Sequence, residues 1–142
     1  GLVGSEMCIR DSTYSGHPVG AAAALACLAE TQRLNVPQNA AARGQQIYDG
    51  CLRLQEKYDL IGDVRGGHGL MTAMELVSDR KTKAPVDKAV PLVLQETAYQ
   101  NGAMVRVSGP NVILSPALII SEGEVDTILS ALDKGFAKAS ES

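Results

Sequence analysis

The chain has 142 residues, of which 45% are hydrophobic and 20% charged, and its formal net charge at pH 7 is −3. This length and this composition fit one folded globular domain. The acidic balance argues against a nucleic-acid partner and an anionic membrane surface, and no apolar run approaches the roughly 20 residues of a membrane span.

The first twelve residues, GLVGSEMCIRDS, show neither helical nor strand periodicity, and they lack the pattern of a signal peptide. We interpret residues 1–12 as a non-native, adapter-like segment, because a sharp motif begins directly after it at Thr13. The alternative is a genuine flexible N-terminal arm.

Two helices are predicted next. Pro18 fits the first position of a helix, where its missing N–H costs nothing, and strong helix formers continue to Arg33. Asn35 and Pro37 interrupt this pattern, and a second helix is predicted from about Gln38 to Tyr58. Its expected apolar stripe consists of Ala42, Ile47, Cys51, Leu52 and Leu54.

Short strands with two further helices follow. Ile61–Arg65 and Leu70–Val77 are predicted to form a hairpin around a glycine-rich turn, and residues 78–87 form a polar loop. The glycine turn is not a P-loop, because it lacks the GK[ST] ending and a strand follows it. A helix is predicted over Val90–Asn101, with Gly102 as its terminator.

The last elements are two strands and a helix. Ala103–Val107 and Asn111–Leu114 are predicted strands on either side of a Ser-Gly-Pro turn. Ser121 and Glu124 fit an S-x-x-E capping box at the start of the last helix. The expected buried stripe of that helix consists of Val125, Ile128, Leu129, Leu132 and Phe136. These elements predict an α+β fold in which helices cover one face of a small sheet.

Cysteine and histidine are few and scattered. Cys8, Cys27 and Cys51 form no C-x-x-C pair, and the two histidines have no clustered partner, so we predict no metal ligands. Three cysteines in helical surroundings favour reduced thiols and hence a cytoplasmic protein. We expect them to be small buried hydrophobes rather than nucleophiles.

The stretch TYSGHP stands directly before the first helix and permits two interpretations. Thr13, Ser15 and the Gly16 turn could bind an anion, because free N–H groups and the positive end of the helix dipole lie there. Alternatively, Ser15 is a simple N-cap. His17 is expected to support the turn rather than to act as a general base.

Arg106 is the second candidate site residue, because it lies inside the apolar strand AMVRVSG. A guanidinium there must find a partner or face an opening, and its planar fork suits bidentate recognition of a carboxylate. Alternatively, Arg106 is an ordinary arginine on the wet face of an alternating strand. The pattern alone does not separate these interpretations.

Taken together, three segments resemble the C-terminal part of the class III aminotransferases, pyridoxal-phosphate-dependent enzymes of fold type I. The segments are TYSGHPVGAAAALA, GDVRGGHGLMTAMELVSDRKTKAP and NGAMVRVSGPNVILSPALIISEGEVDTILSAL, in the family's order. The turn at Gly67–His68 is one residue longer than the family's usual pattern. The form SGHP is more similar to ω-amino-acid:pyruvate-type enzymes than to the family's aminomutases.

The resemblance implies roles for both candidates. The threonine matching Thr13 would hydrogen-bond the phosphate of the partner subunit's pyridoxal 5'-phosphate, and the arginine matching Arg106 would bind the substrate carboxylate. The enzyme would move an amino group from an amine or (ω-)amino acid to a keto acid such as pyruvate, as a homodimer or a dimer of dimers.

The resemblance also implies a fragment, because the family's Schiff-base lysine lies upstream of the position of Thr13 and no lysine here has its context. Residues 13–60 would link to a missing large cofactor domain, and residues 61–142 would form the C-terminal small α+β domain. The chain would then carry no catalytic residue and be inactive alone, and both helices before Ile61 would expose apolar faces. The alternatives are an aminomutase-type member of the family and a non-enzymatic α+β interaction module.

Overall fold

The structure is a computed structural model that describes residues 16–141. The chain divides into two compact units, Gly1–Asn35 and Val36–Ser142. The prediction of a non-native segment at residues 1–12 and the roles of Thr13 and Ser15 lie outside the described residues.

The first unit contains helix α1, Pro18–Arg33. Pro18 occupies the first helical turn as predicted, and Gly16 makes the preceding bend at a φ of 72°. His17 is the N-cap, and its Nδ1 accepts a hydrogen bond from the Gly20 amide at 3.3 Å. The helix thus begins at Pro18 with His17 as its cap, and Ser15, the alternative cap, lies outside the described residues. No residue of α1 is buried, so its apolar side chains are exposed as expected.

The second unit begins with helix α2, Val36–Lys57. Ile47, Cys51 and Leu54 are buried as predicted, and Leu52 is half-buried against the same core. Ala42 is exposed, contrary to the prediction, because a separation of five residues turns it about 140° around the helix from Ile47.

Helix α2 packs within the second unit. The expectation of an exposed apolar face was wrong for this helix, because its buried side chains belong to the core cluster of the sheet and the later helices. The two units meet after Asn35, within the segment of residues 13–60 that is predicted to link to a further domain. The link from this segment to a further domain stays a prediction.

Five short strands and two further helices complete the unit. The elements are β1 Ile61–Arg65, β2 Thr72–Asp79, β3 Ala84–Pro85, α3 Ala89–Gln100, β4 Arg106–Ser108, β5 Asn111–Leu114 and α4 Glu122–Ala139. The main sheet has the order β1-β2-β5-β4 with antiparallel pairing throughout, and β3 pairs separately with β2. The predicted hairpin and the predicted pair of late strands are confirmed.

Two strands differ from the prediction. β2 begins at Thr72 rather than Leu70, because Gly69 adopts a φ of 79° and Leu70 packs into the core outside the ladder. β4 covers only Arg106–Ser108, since Val105 precedes the ladder and its carbonyl accepts a side-chain hydrogen bond instead. The two-residue strand β3 lies in the stretch predicted as a polar loop.

One face of the sheet carries the core. Helices α2, α3 and α4 contribute buried side chains to a single cluster with alternate residues of the strands, which confirms the α+β layer with one covered face. Ser121 and Glu124 form the predicted capping box of α4, and Gly102 ends α3 at a φ of 92°. In the expected stripe of α4, Ile128 and Leu129 are only half-buried. Over residues 16–141, the helices are too short or too polar to cross a membrane.

Candidate functional site

The uncovered face of the sheet carries two rows of side chains that run across β1, β2, β5 and β4. Successive residues of a strand point to opposite faces, so both rows project away from the helices. The first row consists of Arg65, Ala73, Ile113 and Arg106. The second row consists of Asp63, Glu75, Asn111 and Ser108.

Arg65, at one end of the first row, is surrounded by oxygen atoms. Its Nη1 lies 3.3 Å from Asp63 Oδ2 and 3.5 Å from Glu75 Oε2, and its Nη2 donates to Asn111 Oδ1 at 3.1 Å. Two carboxylates and one amide oxygen therefore neutralise and hold this guanidinium within the sheet.

Arg106, at the other end of the same row, has a different environment. Its side chain is exposed on the edge strand β4, and within residues 16–141 it has no hydrogen bond or ion pair. Its neighbour in the second row is Ser108, which brings a hydroxyl rather than a carboxylate. The guanidinium is thus on the wet face of an alternating strand and is also free to take an external anion.

A pocket of about 460 Å³ lies beside Arg106. Its apolar lining includes Met104, Ile113, Pro116 and Ile128, and its polar lining includes Gln95 and Ser115. An apolar wall beside one unpaired guanidinium suits a small molecule that has a carboxylate at one end and a hydrocarbon part.

Gln95 was not singled out in the sequence, yet it contacts the start of the strand that carries Arg106. Its Nε2 donates to the Val105 carbonyl at 2.8 Å from the half-buried side of helix α3. A glutamine within a predicted helix carries no sequence signal for such a contact, since the bond depends on how the helix packs beside β4.

The TYSGHP motif is described only from Gly16 onwards, so the phosphate-binding role of Thr13 stays a prediction. The described part shows a helix start that is capped from within. The His17 side chain accepts from the Gly20 amide, and the His17 carbonyl accepts from Ala21 at 2.9 Å. His17 therefore supports the turn, as expected.

The described chain contains six lysines, the residue type that attaches pyridoxal 5'-phosphate through a Schiff base. All six are exposed, namely Lys57, Lys81, Lys83, Lys88, Lys134 and Lys138. Lys57 pairs with Asp133 at 2.6 Å, and this hydrogen bond raises the pKa of its ammonium group. A Schiff-base lysine must instead lose its proton readily, so this ion pair disfavours Lys57 as an attachment site for the cofactor.

The described cysteines also differ from each other. Cys51 is buried, and burial raises the pKa of its thiol to about 12, which fits the expectation of an unreactive core residue. Cys27 is exposed on α1, contrary to that expectation. Cys8 lies outside the described residues. Residues 16–141 hold no cluster of metal-ligating side chains.

Comparison with known proteins adds to this geometry. A family model described as "Aminotransferase class-III" matches residues 3–136. The chain is 36% identical over 132 residues to the taurine–pyruvate aminotransferase of Bilophila wadsworthia, which covers 88% of this chain and 29% of that protein. It is 37% identical over 135 residues to the (R)-1-hydroxy-2-aminoethylphosphonate ammonia-lyase of Vibrio splendidus, which covers 94% of this chain and 28% of that protein.

Among solved structures, the fold is similar to that of an amine transaminase from an uncultivated Pseudomonas species in its pyridoxal-phosphate-bound form. The TM-score is 0.84 at 40% sequence identity, and the match covers 98% of this chain and 31% of that one. The chain thus spans less than a third of the length of each of these proteins.

Proposed function

This chain belongs to the class III aminotransferases, a family of pyridoxal-phosphate-dependent enzymes, and we propose that it forms the substrate-carboxylate-binding part of a transaminase. The complete enzyme would move an amino group from an amine or (ω-)amino acid to a keto acid such as pyruvate. Arg106 would hold the substrate carboxylate, with the pocket beside it receiving the rest of the molecule.

The observation that carries this proposal is the unpaired Arg106 guanidinium. Arg65 lies in the same row of the same sheet face, and its charge is taken up by Asp63 and Glu75. Arg106 has no such partner within the described chain, although an arginine gains most from a bidentate pair with a planar anion. A carboxylate supplies this geometry, and both amino acids and keto acids carry one.

The cofactor would be held mainly by residues outside these 142. All six lysines are exposed and Lys57 pairs with Asp133, so we infer that the cofactor lysine lies elsewhere in the complete enzyme and that this segment is inactive alone. Thr13 would bind the phosphate of the partner subunit's cofactor, which requires a homodimer or a dimer of dimers. We propose a cytoplasmic location.

A second reaction class within the family is supported by one comparison. The ammonia-lyase relative has about the same identity to this chain as the taurine–pyruvate aminotransferase. Similarity at this level therefore does not separate transamination from other class III reactions, the aminomutase type included. Family membership favours any of these enzymes over the non-enzymatic interaction module.

The test is a pair of substrates applied to Arg106 variants of the complete enzyme. A hydrogen-bonded pair with a charged group contributes about 1.5–3 kcal/mol, so Arg106→Ala should lower kcat/KM for a carboxylate-bearing donor by roughly 10- to 150-fold. A plain amine donor should lose much less in its own half-reaction. Arg106→Lys should recover only part of the loss, because a point charge does not reproduce the planar fork.

Arg65→Ala is the matched control, since it removes the same charge from the same row of side chains. Single-turnover kinetics with both donors should show no donor-selective change for this variant. Equal losses for both donors in Arg106→Ala would mean that Arg106 is structural, and the proposal would then be wrong.

A further inference from the structure

We propose that Gln95 is a positioning residue that holds Arg106 in place for the substrate carboxylate. This inference rests on the proposed function of Arg106. Gln95 and Arg106 line the same pocket from different elements, one from helix α3 and the other from strand β4. The link between them is the hydrogen bond from Gln95 Nε2 to the carbonyl oxygen of Val105, the residue directly before Arg106.

The strand that carries Arg106 has little support of its own. β4 is three residues long and lies at the edge of the sheet, so β5 is its only ladder partner in the described chain. The Val105 carbonyl lies just outside the ladder pairs, which begin at Arg106 and Ile113. Without the Gln95 side chain, the backbone at this point would depend on the packing of the buried Val105 side chain alone.

Helix α3 is a rigid base for this contact. Leu94 and Ala98 are fully buried on either side of Gln95 in the sequence, which fixes the rotation of the helix against the core. The Gln95 amide therefore reaches β4 from a fixed point. Loss of the bond should let the start of β4 move, and the guanidinium would then spend less time in the geometry that receives both carboxylate oxygens.

The effect should appear in the binding of carboxylates and not in the reaction of plain amines. A single neutral hydrogen bond corresponds to a change of roughly 2- to 12-fold. We expect Gln95→Met in the complete holoenzyme to raise KM for a carboxylate-bearing donor by this factor, with kcat nearly unchanged. KM for a plain amine donor should stay the same.

A direct binding measurement accompanies the kinetics. Hydrocinnamate has a carboxylate and an apolar part but no amino or keto group, so it cannot react, and its Kd can be measured by calorimetry. Its Kd should rise by the same roughly 2- to 12-fold in Gln95→Met. Gln95→Glu keeps the size of the side chain and, when ionised, has no donor for Val105, so it should show at least the same loss.

Gln100→Met is the matched control. Gln100 lies on the same helix, is exposed, and donates only to Glu96 within that helix, at 2.8 Å. The same substitution there should change neither the KM values nor the Kd. If Gln95→Met weakens carboxylates and plain amines equally, Gln95 has a merely structural role and the inference is overturned.

The double variant separates this inference from the proposed function. If Arg106→Ala shows the donor-selective loss, Gln95→Met should add nothing in that background, because both changes act through one guanidinium. A selective loss in Arg106→Ala with no effect of Gln95→Met would overturn only the positioning role. No selective loss in Arg106→Ala would overturn the proposed function itself.

Discussion

At Gly44, helix α2 packs against the glycine-rich turn between β1 and β2. This contact predicts whether Gly44→Ala raises or lowers the free energy of unfolding. A Cβ atom added at Gly44 would lie 2.5 Å from the Gly69 carbonyl carbon and closer still to its oxygen. Those atoms are backbone, in a turn where Gly69 itself adopts a φ of 79°. Neither side can yield without moving the turn or the helix.

The expected magnitude follows from two opposing effects. Replacing glycine by alanine inside a helix normally stabilises a protein by about 0.5–1 kcal/mol. Forcing an extra methyl group into a closed contact costs about 1–3 kcal/mol, and more where only backbone can move. We therefore expect Gly44→Ala to lower the free energy of unfolding by about 1–2 kcal/mol despite its better helix propensity.

Two other helical glycines provide the comparison. Gly123 in α4 has open space around its Cβ position, so Gly123→Ala should stabilise by about 0.4–1 kcal/mol. A Cβ at Gly50 would meet the end of the Leu129 side chain, 2.5 Å from its Cδ2, and that side chain can rotate away. The change in the free energy of unfolding for Gly50→Ala should therefore fall between those of Gly44→Ala and Gly123→Ala.

Urea unfolding of the three variants, with the midpoint read at unchanged slope, gives this ranking directly. Gly44→Ala as stable as Gly123→Ala would refute the close approach of α2 to the turn.

Three further outcomes are expected. Thr72 Oγ1 is buried and has no hydrogen-bond partner in the described chain. Burying an unpaired hydroxyl costs about 1–3 kcal/mol, so Thr72→Val, which removes it, should raise the melting temperature. The hydrogen bond from Lys57 holds the pKa of Asp133 below its ordinary 3.8, so its stabilisation is complete above that pH and is lost as the pH falls through the lower folded value. Acid titration of Asp133→Asn should accordingly show a shallower loss of stability below about pH 4. Borohydride treatment of the 142-residue chain with pyridoxal 5'-phosphate should label no single lysine stoichiometrically, and one specific adduct would contradict the inference that the cofactor lysine lies elsewhere.

The parts of the fold that the sequence predicted well are those set by neighbouring residues. Pro18 at the start of α1, the capping box of Ser121 and Glu124, and Gly102 after α3 all act within one helical turn. The hairpin of β1 and β2 also follows from a local turn. Each of these was found where the pattern placed it, within a few residues.

The differences arise where distant segments decide. The strand β3 exists only because Pro85 and its neighbour lie beside β2, and the pattern of a polar loop does not show this. The burial of α2 depends on a sheet and a helix that come later in the chain. The N-cap of α1 is His17, which follows a left-handed Gly16, and the TYSGHP pattern alone did not predict this cap.

The candidate site depends both on local sequence signals and on contacts between distant segments. In sequence, Arg65 and Arg106 look alike, since each follows a valine in a short strand and precedes a glycine within three residues. Their surroundings differ because β2 pairs with β5. This pairing places Glu75 opposite Asn111, which lies 36 residues later in the chain. Asp63 lies on the same strand as Arg65, two residues away, and Glu75 lies opposite Asp63 on the neighbouring strand β2, so both carboxylates of the second row lie close to Arg65.

The other half of that row lies on β5 and β4 and contains only Asn111 and Ser108, which are uncharged. Arg106 on the edge strand is separated from Glu75 by β5, and within residues 16–141 the Glu75 carboxylate pairs with Arg65 instead. One arginine is therefore paired within the sheet, while the other has no ion pair in the described part of the chain. A carboxylate placed on β4 would reverse this: Ser108→Asp should pair with Arg106 and weaken carboxylate substrates selectively, with the Arg65 cluster untouched.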